Sequence, residues 1–514
     1  MDKPYLLEMS NISKSFPGVK ANQNINLAIR SGEIHALLGE NGAGKTTLMK
    51  ILYGLYKPDA GEIRLKGSPL EITSPEQAIH RGIGMVHQHF MLIPPFTVLE
   101  NIVLGNEPRK KFGMLDQAVA LAKLNKLSLE LGLKIDPHTK ISDLSVGLQQ
   151  RVEILKALYR EAEILILDEP TSVLTPQESN DLGEILRKFV AQGKAVVFIT
   201  HKLKEVKKFA DTITIIRQGQ VVNSVSCQET SVESLAEMMV GRKVLLEVEK
   251  KPAKLGENIL KIENLNILDH RKLPKVRNFS LNVHAGEIIA VAGVDGNGQT
   301  ELIEALTGLR PVNSGHIFLN NQEITNRTPR QIIESRLAHI PEDRQKRGLI
   351  LDFSIWENLI LEEYCTPEYS KLGFIKEKHA QTHALMLIKE FDIRTPHEKT
   401  ATASLSGGNQ QKIVLAREIR RNPQALIVAQ PTRGLDVGAI EFIHQQLIVE
   451  RDQGKAILLF SLELDEILTL ADTIAVIYEG ELMGMLPRTE ANEETLGMMM
   501  TGSLRLKQKE ASNS

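Results

Sequence analysis

Short runs of apolar residues alternate along this chain with longer segments of helical periodicity. Residues 33–38, 164–167 and 195–199 are apolar at nearly every position, which is typical of strands buried on both faces of a parallel sheet. Residues 115–133 instead place leucines along one face of a helix. Strands separated by helices predict an α/β fold with a mostly parallel sheet and flanking helices.

Two further segments follow a different pattern. Residues 24–30 and 61–66 alternate partially between apolar and polar positions, as expected for strands that have one solvent-exposed face. These segments predict an antiparallel β layer on one side of the parallel sheet.

The pattern repeats once over nearly the whole chain of 514 residues. Residues 39–46 return as residues 293–300 with an offset of 293 − 39 = 254, and residues 144–147 return as residues 405–408 with an offset of 405 − 144 = 261. The second copy therefore contains a few additional residues in its middle. The repeat predicts two domains in tandem. The predicted boundaries are residues 1–247, a linker at 248–257, residues 258–504 and a polar tail at 505–514.

A glycine-rich segment of the first copy matches the phosphate-binding pattern G-x-x-x-x-G-K-[ST] at every required position. It lies between the predicted strand 33–38 and the helical residues 47–55, which is the order that the motif needs. Backbone N–H groups and the helix dipole would bind a polyphosphate, with Lys45 at the β and γ phosphates and Thr46 at Mg²⁺. The predicted nucleotide-binding residues are Gly39, Glu40, Asn41, Gly42, Ala43, Gly44, Lys45, Thr46 and Thr47.

A pair of carboxylates directly follows the apolar run 164–167. Open α/β sheets bind ligands at the carboxyl ends of their strands, so Asp168 and Glu169 are expected beside the phosphate loop. Asp168 is predicted to belong to the metal shell, through water. Glu169 is predicted to orient or deprotonate the water that attacks the γ-phosphorus.

Composition and charge argue against nucleic-acid binding and against a membrane-spanning chain. The 62 basic and 64 acidic residues give a net charge of −2, without the basic excess of a nucleic-acid-binding protein. We expect no signal peptide and no bilayer-spanning segment, because no apolar stretch approaches roughly 18 to 20 residues. If the protein acts at a membrane, other chains must cross it. Cys227 and Cys365 are expected to be buried thiols in a reducing cytosol.

The order of the motifs resembles the ATP-binding-cassette (ABC) ATPases. The phosphate loop is followed by Gln88, by Leu-Ser-Val-Gly-Leu-Gln-Gln at residues 144–150, by the carboxylate pair and by His201. Residues 144–150 are the specific element, because many other NTPases share the phosphate loop. The resemblance covers essentially both copies and implies two tandem P-loop NTPase domains, each with a helical subdomain besides the two β layers.

The resemblance also implies roles that the residue pattern alone leaves open. In this family Gln88 would contact the metal and the attacking water, and His201 would contact the γ-phosphate. Phe16 looks like the aromatic residue that stacks on adenine, with an ordinary core phenylalanine as the alternative. The implied cofactors are ATP and Mg²⁺.

The second copy lacks most of the groups that would bind and split ATP. Without the phosphate lysine and both carboxylates, its pocket is expected to hold nucleotide at most, without hydrolysing it. In the second copy Lys45 becomes Gln299, Gln88 becomes Glu342, Asp168 becomes Ala429, Glu169 becomes Gln430, His201 becomes Leu462, and Phe16 aligns with His270.

The signature segments show the opposite asymmetry. In the family, cassettes pair head to tail, so that the signature of one copy closes over the phosphate loop of the other. The first copy has the bulky residues Val146 and Leu148 where the second has Gly407 and Asn409, and Thr175 where the second has Asp436. We therefore predict one competent composite site, the first-copy pocket completed by the second copy. The predicted residues from the second copy are Ser406, Gly407, Gly408, Asn409 and Asp436.

Two cassettes, no membrane span and one degraded pocket resemble the bacterial importers of simple sugars and nucleosides. Residues 85–92, 293–299 and 430–436 resemble the nucleoside branch, with sugar import as the alternative. The resemblance implies two transmembrane permease subunits, an extracellular solute-binding lipoprotein, no nucleic acid, and a peripheral position on the cytoplasmic face of the cell membrane. Residues 90–96 and 350–356 are candidate permease-docking segments, with packing inside the helical subdomain as the alternative.

Two other classes of double-cassette protein fit less well. Soluble ribosome-associated cassettes join their copies through a long charged helical segment and keep both pockets, whereas the joint at residues 248–257 is short. A cassette pair for DNA repair would need a long coiled coil inside each copy, and the sequence has no sustained heptads.

Overall fold

The computed structural model describes residues 4–87, 90–110, 113–133, 135–171, 174, 176–243 and 250–506. The chain divides into two compact units, Met1–Val244 and Leu245–Ser514, called here the first and second unit. The predicted linker is described only from Lys250 onwards. The predicted polar tail is described only for Arg505 and Leu506, and the Leu506 N–H donates to the Met483 carbonyl oxygen at 2.9 Å. The predicted domain boundaries therefore stay a prediction.

The first unit contains two sheets. Its strands are β1 (Tyr5–Phe16), β2 (Val19–Arg30), β3 (Ile34–Leu38), β4 (Ala60–Leu65), β5 (Ser68–Pro69), β6 (Ile83–Val86), β7 (Ile164–Asp168), β8 (Ala195–Thr200), β9 (Thr212–Arg217) and β10 (Gln220–Ser226). The central sheet has the order β10-β9-β3-β8-β7-β6 and is parallel except for the β9–β10 pair. A second, antiparallel sheet has the order β2-β1-β4-β5. Both predicted layers are therefore confirmed.

Helices cover the central sheet and form a separate group after β6. They are α1 (Lys45–Leu52), α2 (Pro75–His80), α3 (Val98–Val103), α4 (Gln117–Leu131), α5 (Val146–Tyr159), α6 (Pro176–Ala191), α7 (Leu203–Phe209) and α8 (Val232–Val240). The helix predicted over residues 115–133 is α4, which begins after its cap Asp116 and ends at Gly132, whose φ is 75°. A left-handed glycine is a frequent helix terminator because it has no Cβ to clash.

The second unit repeats this architecture. Its strands and helices are β11 (Asn258–Leu268), β12 (Pro274–His284), β13 (Glu287–Ala292), α9 (Gln299–Leu306), β14 (Ser314–Leu319), β15 (Gln322–Glu323), α10 (Pro329–Glu334), β16 (Leu337–Ile340), α11 (Ile355–Leu359), β17 (Ser370–Lys371), β18 (Phe374–Ile375), α12 (Glu377–Glu390), α13 (Gly407–Arg420), β19 (Ala425–Ala429), α14 (Val437–Asp452), β20 (Ala456–Ser461), α15 (Leu464–Leu470), β21 (Thr473–Tyr478), β22 (Glu481–Pro487) and α16 (Glu493–Met500). The sheet orders are β16-β19-β20-β13-β21-β22 and β12-β11-β14-β15, with a separate β17–β18 hairpin.

Both faces of the central sheet are buried, which explains the apolar runs in the sequence. In β7 the side chains of Leu165 and Leu167 belong to the core on the side of the helices. Those of Ile164 and Ile166 belong to the core on the side of the antiparallel sheet. Successive strand residues point to opposite faces, so a strand between two cores favours apolar side chains at every position. Only at the end of β7 do carboxylates begin.

Two expectations from composition have different outcomes. Within the described ranges, no helix combines the length and the apolar character needed to cross a bilayer. Cys227 is buried, but Cys365 is exposed, so the prediction of two buried thiols is wrong for Cys365. The Cys365 sulfur instead accepts a hydrogen bond from the Arg330 guanidinium at 3.3 Å.

Candidate functional site

The phosphate loop of the first unit connects β3 to α1. Gly44, which precedes α1, has a φ of 103°, and a Cβ at this position would lie 2.2 Å from the Ala21 carbonyl oxygen. The Asn22 side-chain amide donates to the Gly44 carbonyl oxygen at 3.1 Å. Only glycine fits this close approach, and the turn directs the loop and the α1 N-terminus toward the same space.

Lys45, the first residue of α1, folds its side chain back over this loop. Its Nζ donates to the carbonyl oxygens of Gly39 at 2.6 Å and Glu40 at 2.8 Å. Burial lowers the pKa of Lys45, while the charges of Glu169 and Asp168 oppose that shift. A buried ammonium held by neutral carbonyls has a strong preference for an anionic partner such as a phosphate oxygen.

Asp168 and Thr46 form the candidate metal site. Asp168 ends β7 and is buried, and the Thr46 hydroxyl hydrogen-bonds its carboxylate. Burial and, next, the charge of Glu169 raise the pKa of Asp168 despite the nearby Lys45 ammonium. A carboxylate and a hydroxyl are hard oxygen ligands. The positive charge near this carboxylate does not offset its burial and the charge of Glu169. The pair therefore fits Mg²⁺.

Glu169 and His201 are brought together at the ends of neighbouring parallel strands, β7 and β8. His201 Nδ1 lies 2.8 Å from Glu169 Oε1. Burial alone would raise the pKa of Glu169, but the hydrogen bond and charge of His201, with the charges of Lys45 and Lys202, outweigh it, and the pKa is lowered. The backbone of Glu169 is left-handed, with a φ of 48°, and its N–H donates to the Ile199 carbonyl oxygen at 2.9 Å. The result is an ionised, oriented carboxylate beside the phosphate loop, as a general base requires.

Phe16 lies at the end of β1 and is 38% exposed, so it is not a core residue. Its ring meets the ring of Tyr56 edge to face, with centroids 5.4 Å apart. Asp59 fixes the turn by accepting hydrogen bonds from the Lys14 ammonium and from the Ser15 N–H, both at 2.7 Å. An exposed, braced ring is suited to stacking on a base.

Sequence reasoning did not identify Tyr56. One signal was present, because Lys50 and Tyr56 change together to Glu304 and Arg310 in the second copy. Lys50 Nζ lies 5.7 Å from the Tyr56 ring centroid, whereas Arg310 Nε donates to Glu304 at 2.8 Å. A cation–π contact in one unit is thus replaced by an ion pair in the other.

The signature of the second unit stands at the start of α13. Ser406 precedes the helix without capping it, and its hydroxyl oxygen accepts a hydrogen bond from the Asn409 side-chain amide at 3.0 Å. A Cβ on Gly408 would lie 2.9 Å from the Ala439 Cβ and 3.3 Å from an Asp436 carboxylate oxygen. Four of the predicted residues, Ser406, Gly408, Asn409 and Asp436, therefore lie close together within this unit.

The first-unit signature is arranged differently. The Ser145 hydroxyl caps its own helix, α5, by accepting from the Leu148 N–H at 3.4 Å, and Val146 is exposed. Gln88 and Thr175 lie outside the described residues.

The degraded pocket of the second unit keeps its shape but not its charges. The Gln299 amide donates to the Val291 carbonyl oxygen at 3.0 Å, and β19 ends in the methyl group of Ala429. Glu342 forms an ion pair with Arg433. Neither an ammonium for phosphate nor a strand-end carboxylate for metal is present at these positions.

The ABC transporter family profile matches residues 22–172 and 276–433, one region in each unit. The chain belongs to the ABC transporter family. It is 53% identical to the guanosine import ATP-binding protein NupO of Bacillus subtilis (strain 168), covering 99% of both chains. It is 51% identical to the nucleoside import ATP-binding protein NupA of Lactococcus lactis subsp. cremoris (strain MG1363), covering 97% of this chain and 98% of NupA. It is 45% identical to the glucose import ATP-binding protein TsgD13 of Haloferax volcanii, covering 98% of this chain and 96% of TsgD13.

Family membership confirms the predicted tandem α/β cassettes and the prediction of an ATP-hydrolysing ABC import subunit of the nucleoside and sugar group. ABC cassettes bind ATP or ADP. Membership also implies, in general terms, membrane permease partners, a solute-binding protein and a peripheral association with a membrane.

Proposed function

We propose that this ABC subunit hydrolyses MgATP at one site, in the first unit, to drive the uptake of nucleosides. The observation that carries the ATPase site is the convergence of Lys45, the Thr46–Asp168 pair and the Glu169–His201 pair around one phosphate loop. The second unit has lost the charged members of this set.

Each residue of the site has a defined role in this proposal. Lys45 exchanges its carbonyl partners for the β and γ phosphate oxygens. Thr46, Asp168 and Gln88 hold Mg²⁺, which neutralises phosphate charge when bound. Glu169 orients and deprotonates the attacking water, and His201 keeps that carboxylate ionised while donating toward the γ-phosphate.

The second unit contributes the lid of this site. Ser406 does not cap its own helix, so its hydroxyl can donate to a phosphate placed at the N-terminus of α13. Asp436 lies next to Gly408 and forms part of the lid. Ser145, which caps its own helix, and the exposed Val146 are unsuited to the same task. The predicted domain boundaries, 1–247 and 258–504, are kept as part of this proposal.

Two permease subunits and an extracellular solute-binding lipoprotein complete the transporter. The ATPase binds the cytoplasmic face of the permeases through residues 90–96 and 350–356. These segments expose Met91, Ile350 and Phe353, apolar side chains that a partner would cover.

The solute class is supported by the two relatives above 50% identity, which are described as guanosine and nucleoside import proteins. The glucose import relative is less similar. Nucleosides are therefore favoured over simple sugars.

Uptake in cells that lack this chain tests the proposal. Radiolabelled guanosine and adenosine should enter only when the wild-type chain is restored, and the Glu169→Gln variant should not restore uptake. Labelled ribose and glucose serve as controls. Restored uptake of either sugar without the nucleosides would contradict the nucleoside assignment.

A further inference from the structure

One segment of the second unit has no counterpart of equal length in the first. The offset between the copies grows from 342 − 88 = 254 to 353 − 96 = 257, so three residues are inserted between Glu342 and Phe353. They contribute to a π-helical turn, Arg344–Gly348, called here the connecting turn. The Asp343 carboxylate caps it by accepting from the N–H groups of Gln345 at 3.0 Å and Lys346 at 3.1 Å. Such turns are uncommon and often occur at functional positions.

One end of the connecting turn is bound to the phosphate-loop helix of the same unit. Arg347 donates to the Glu304 carboxylate at 2.7 Å, and Arg310 donates to its other oxygen at 2.8 Å. Glu304 lies in α9 and is only 8% exposed. Burial would raise the pKa of Glu304, but the hydrogen bonds from Arg347 and Arg310 outweigh it, and the pKa is lowered. The carboxylate therefore stays charged and paired at neutral pH.

Other residues of the connecting turn are bound to α13, the helix that begins with the signature. Gln345 donates to the Gln410 side chain at 3.2 Å, and Arg417 donates to the Gly348 carbonyl oxygen at 2.8 Å. The Arg344 guanidinium covers Gly407, because a Cβ there would lie 2.5 Å from one of its nitrogens. Three residues of the connecting turn, Arg344, Gln345 and Gly348, thus contact α13 at Gly407, Gln410 and Arg417.

The first unit cannot form the same link. Lys50 occupies the position of Glu304, since 304 − 50 = 254, and its ammonium lies over Tyr56. A lysine cannot accept a hydrogen bond from an arginine. The ion pair to the phosphate-loop helix is therefore specific to the unit that carries the intact signature and the degraded pocket.

We propose that Arg347 and Glu304 are positioning residues for the signature Ser406–Asn409, because their ion pair joins the connecting turn, and through it α13, to α9. The role as a lid rests on the proposed function, whereas the link itself does not.

Hydrogen exchange of the full chain without nucleotide tests the link. Arg347→Ala should speed amide exchange in residues 406–417 by about threefold to tenfold, a moderate effect because the Arg347 side chain is 49% exposed. Lys346→Ala is the matched control, since that side chain is 84% exposed and forms a long ion pair with Asp343 at 3.8 Å. Glu304→Gln should act in the same direction, and the double variant should add little to either single variant.

Turnover gives the second readout. Arg347→Ala should lower kcat for ATP with KM unchanged, because the first-unit pocket is intact, and Arg347→Lys should recover part of the loss. Should Arg347→Ala not fold, Arg347→Lys and Glu304→Gln allow the same comparison. Equal exchange in Arg347→Ala and Lys346→Ala overturns the inference. If Arg347→Ala speeds exchange but neither Arg347→Ala nor Ser406→Ala lowers kcat, the link between the helices is kept. That outcome instead overturns the lid role in the proposed function.

Discussion

At the scale of single residues, the two units differ by the groups that carry charge. Glu169 is held ionised by His201, whereas Gln430 at the equivalent strand end cannot ionise at all. An amide can orient water but cannot accept its proton.

Glu169→Gln should therefore retain ATP binding and lower kcat by a factor of at least about 100, because it removes the base without changing the shape of the site. Steady-state ATPase assays and equilibrium nucleotide binding measure the two effects. The matched change Gln430→Ala should leave kcat within about twofold. Comparable losses in both variants would refute a single catalytic site.

Tyr56 is a second single residue with a testable role, because its ring packs against the ring of Phe16. Tyr56→Ala removes an edge-to-face pair worth about 0.5–1.5 kcal/mol, so KM for ATP should rise about twofold to tenfold with kcat unchanged. Tyr56→Phe keeps the ring and should behave as wild type. Tyr364→Ala, a change at a similarly exposed tyrosine of the second unit, is the control. An unchanged KM in Tyr56→Ala would mean that Phe16 does not need the contact with Tyr56 to hold its ring in place.

At the scale of elements, sequence reasoning succeeded where a signal is local. The strand runs, the phosphate loop and the carboxylates after β7 each follow from a few consecutive residues. The helix predicted at 115–133 was too long by two residues at each end, since Asp116 and Gly132 terminate it. The Tyr56–Phe16 pair and the contacts of the connecting turn were not predicted, because both join segments that are distant in sequence. The changes at Lys50 and Tyr56 and the three inserted residues mark the positions in the sequence but not their contacts.

The strand β16 gives an element-scale prediction about pH. His339 Nε2 is buried and has no hydrogen-bond partner among the described residues. Burial lowers the pKa of His339 from 6.5 to about 4, although Glu418 opposes the shift and Arg347 and Arg417 reinforce it. Below pH 6.5, His339 therefore binds a proton in the unfolded chain but not in the folded chain until the pH nears 4. The free energy of unfolding falls as the pH falls through this range.

His339→Met introduces the residue found at the equivalent position, Met85, and should abolish this dependence. Between pH 8 and pH 5, wild type should lose about 2 kcal/mol more of its unfolding free energy than the variant. Urea denaturation at the two pH values measures the difference. The raised pKa of Glu362, about 7, acts in both proteins and cancels in the comparison. Equal losses would show that His339 is protonated in the folded state.

At the scale of the whole molecule, we propose that the two halves of the repeat share one chemical task. The sequence predicted this division because the losses are complementary: the charges are absent from one half and the small signature residues from the other. Family membership confirms the two cassettes, and the composite site stays a prediction.

Ser406→Ala and Ser145→Ala test the division directly. If the second unit supplies the lid, Ser406→Ala should lower kcat at least about tenfold. Ser145→Ala should chiefly remove a helix cap, at a stability cost of about 1 kcal/mol, with little change in kcat. ATPase assays and thermal unfolding separate the two outcomes, and a larger kcat loss in Ser145→Ala would reverse the assignment of the lid.

The backbone at the end of β7 is reproduced in the half that has lost its chemistry. Gln430 has a φ of 47°, and its N–H donates to the Phe460 carbonyl oxygen at 2.8 Å, as Glu169 does to Ile199. A left-handed residue other than glycine costs about 1 kcal/mol, and this half still carries that cost. The bend is therefore kept where no carboxylate follows the strand, and a glutamate placed at position 430 would meet the same backbone conformation as Glu169.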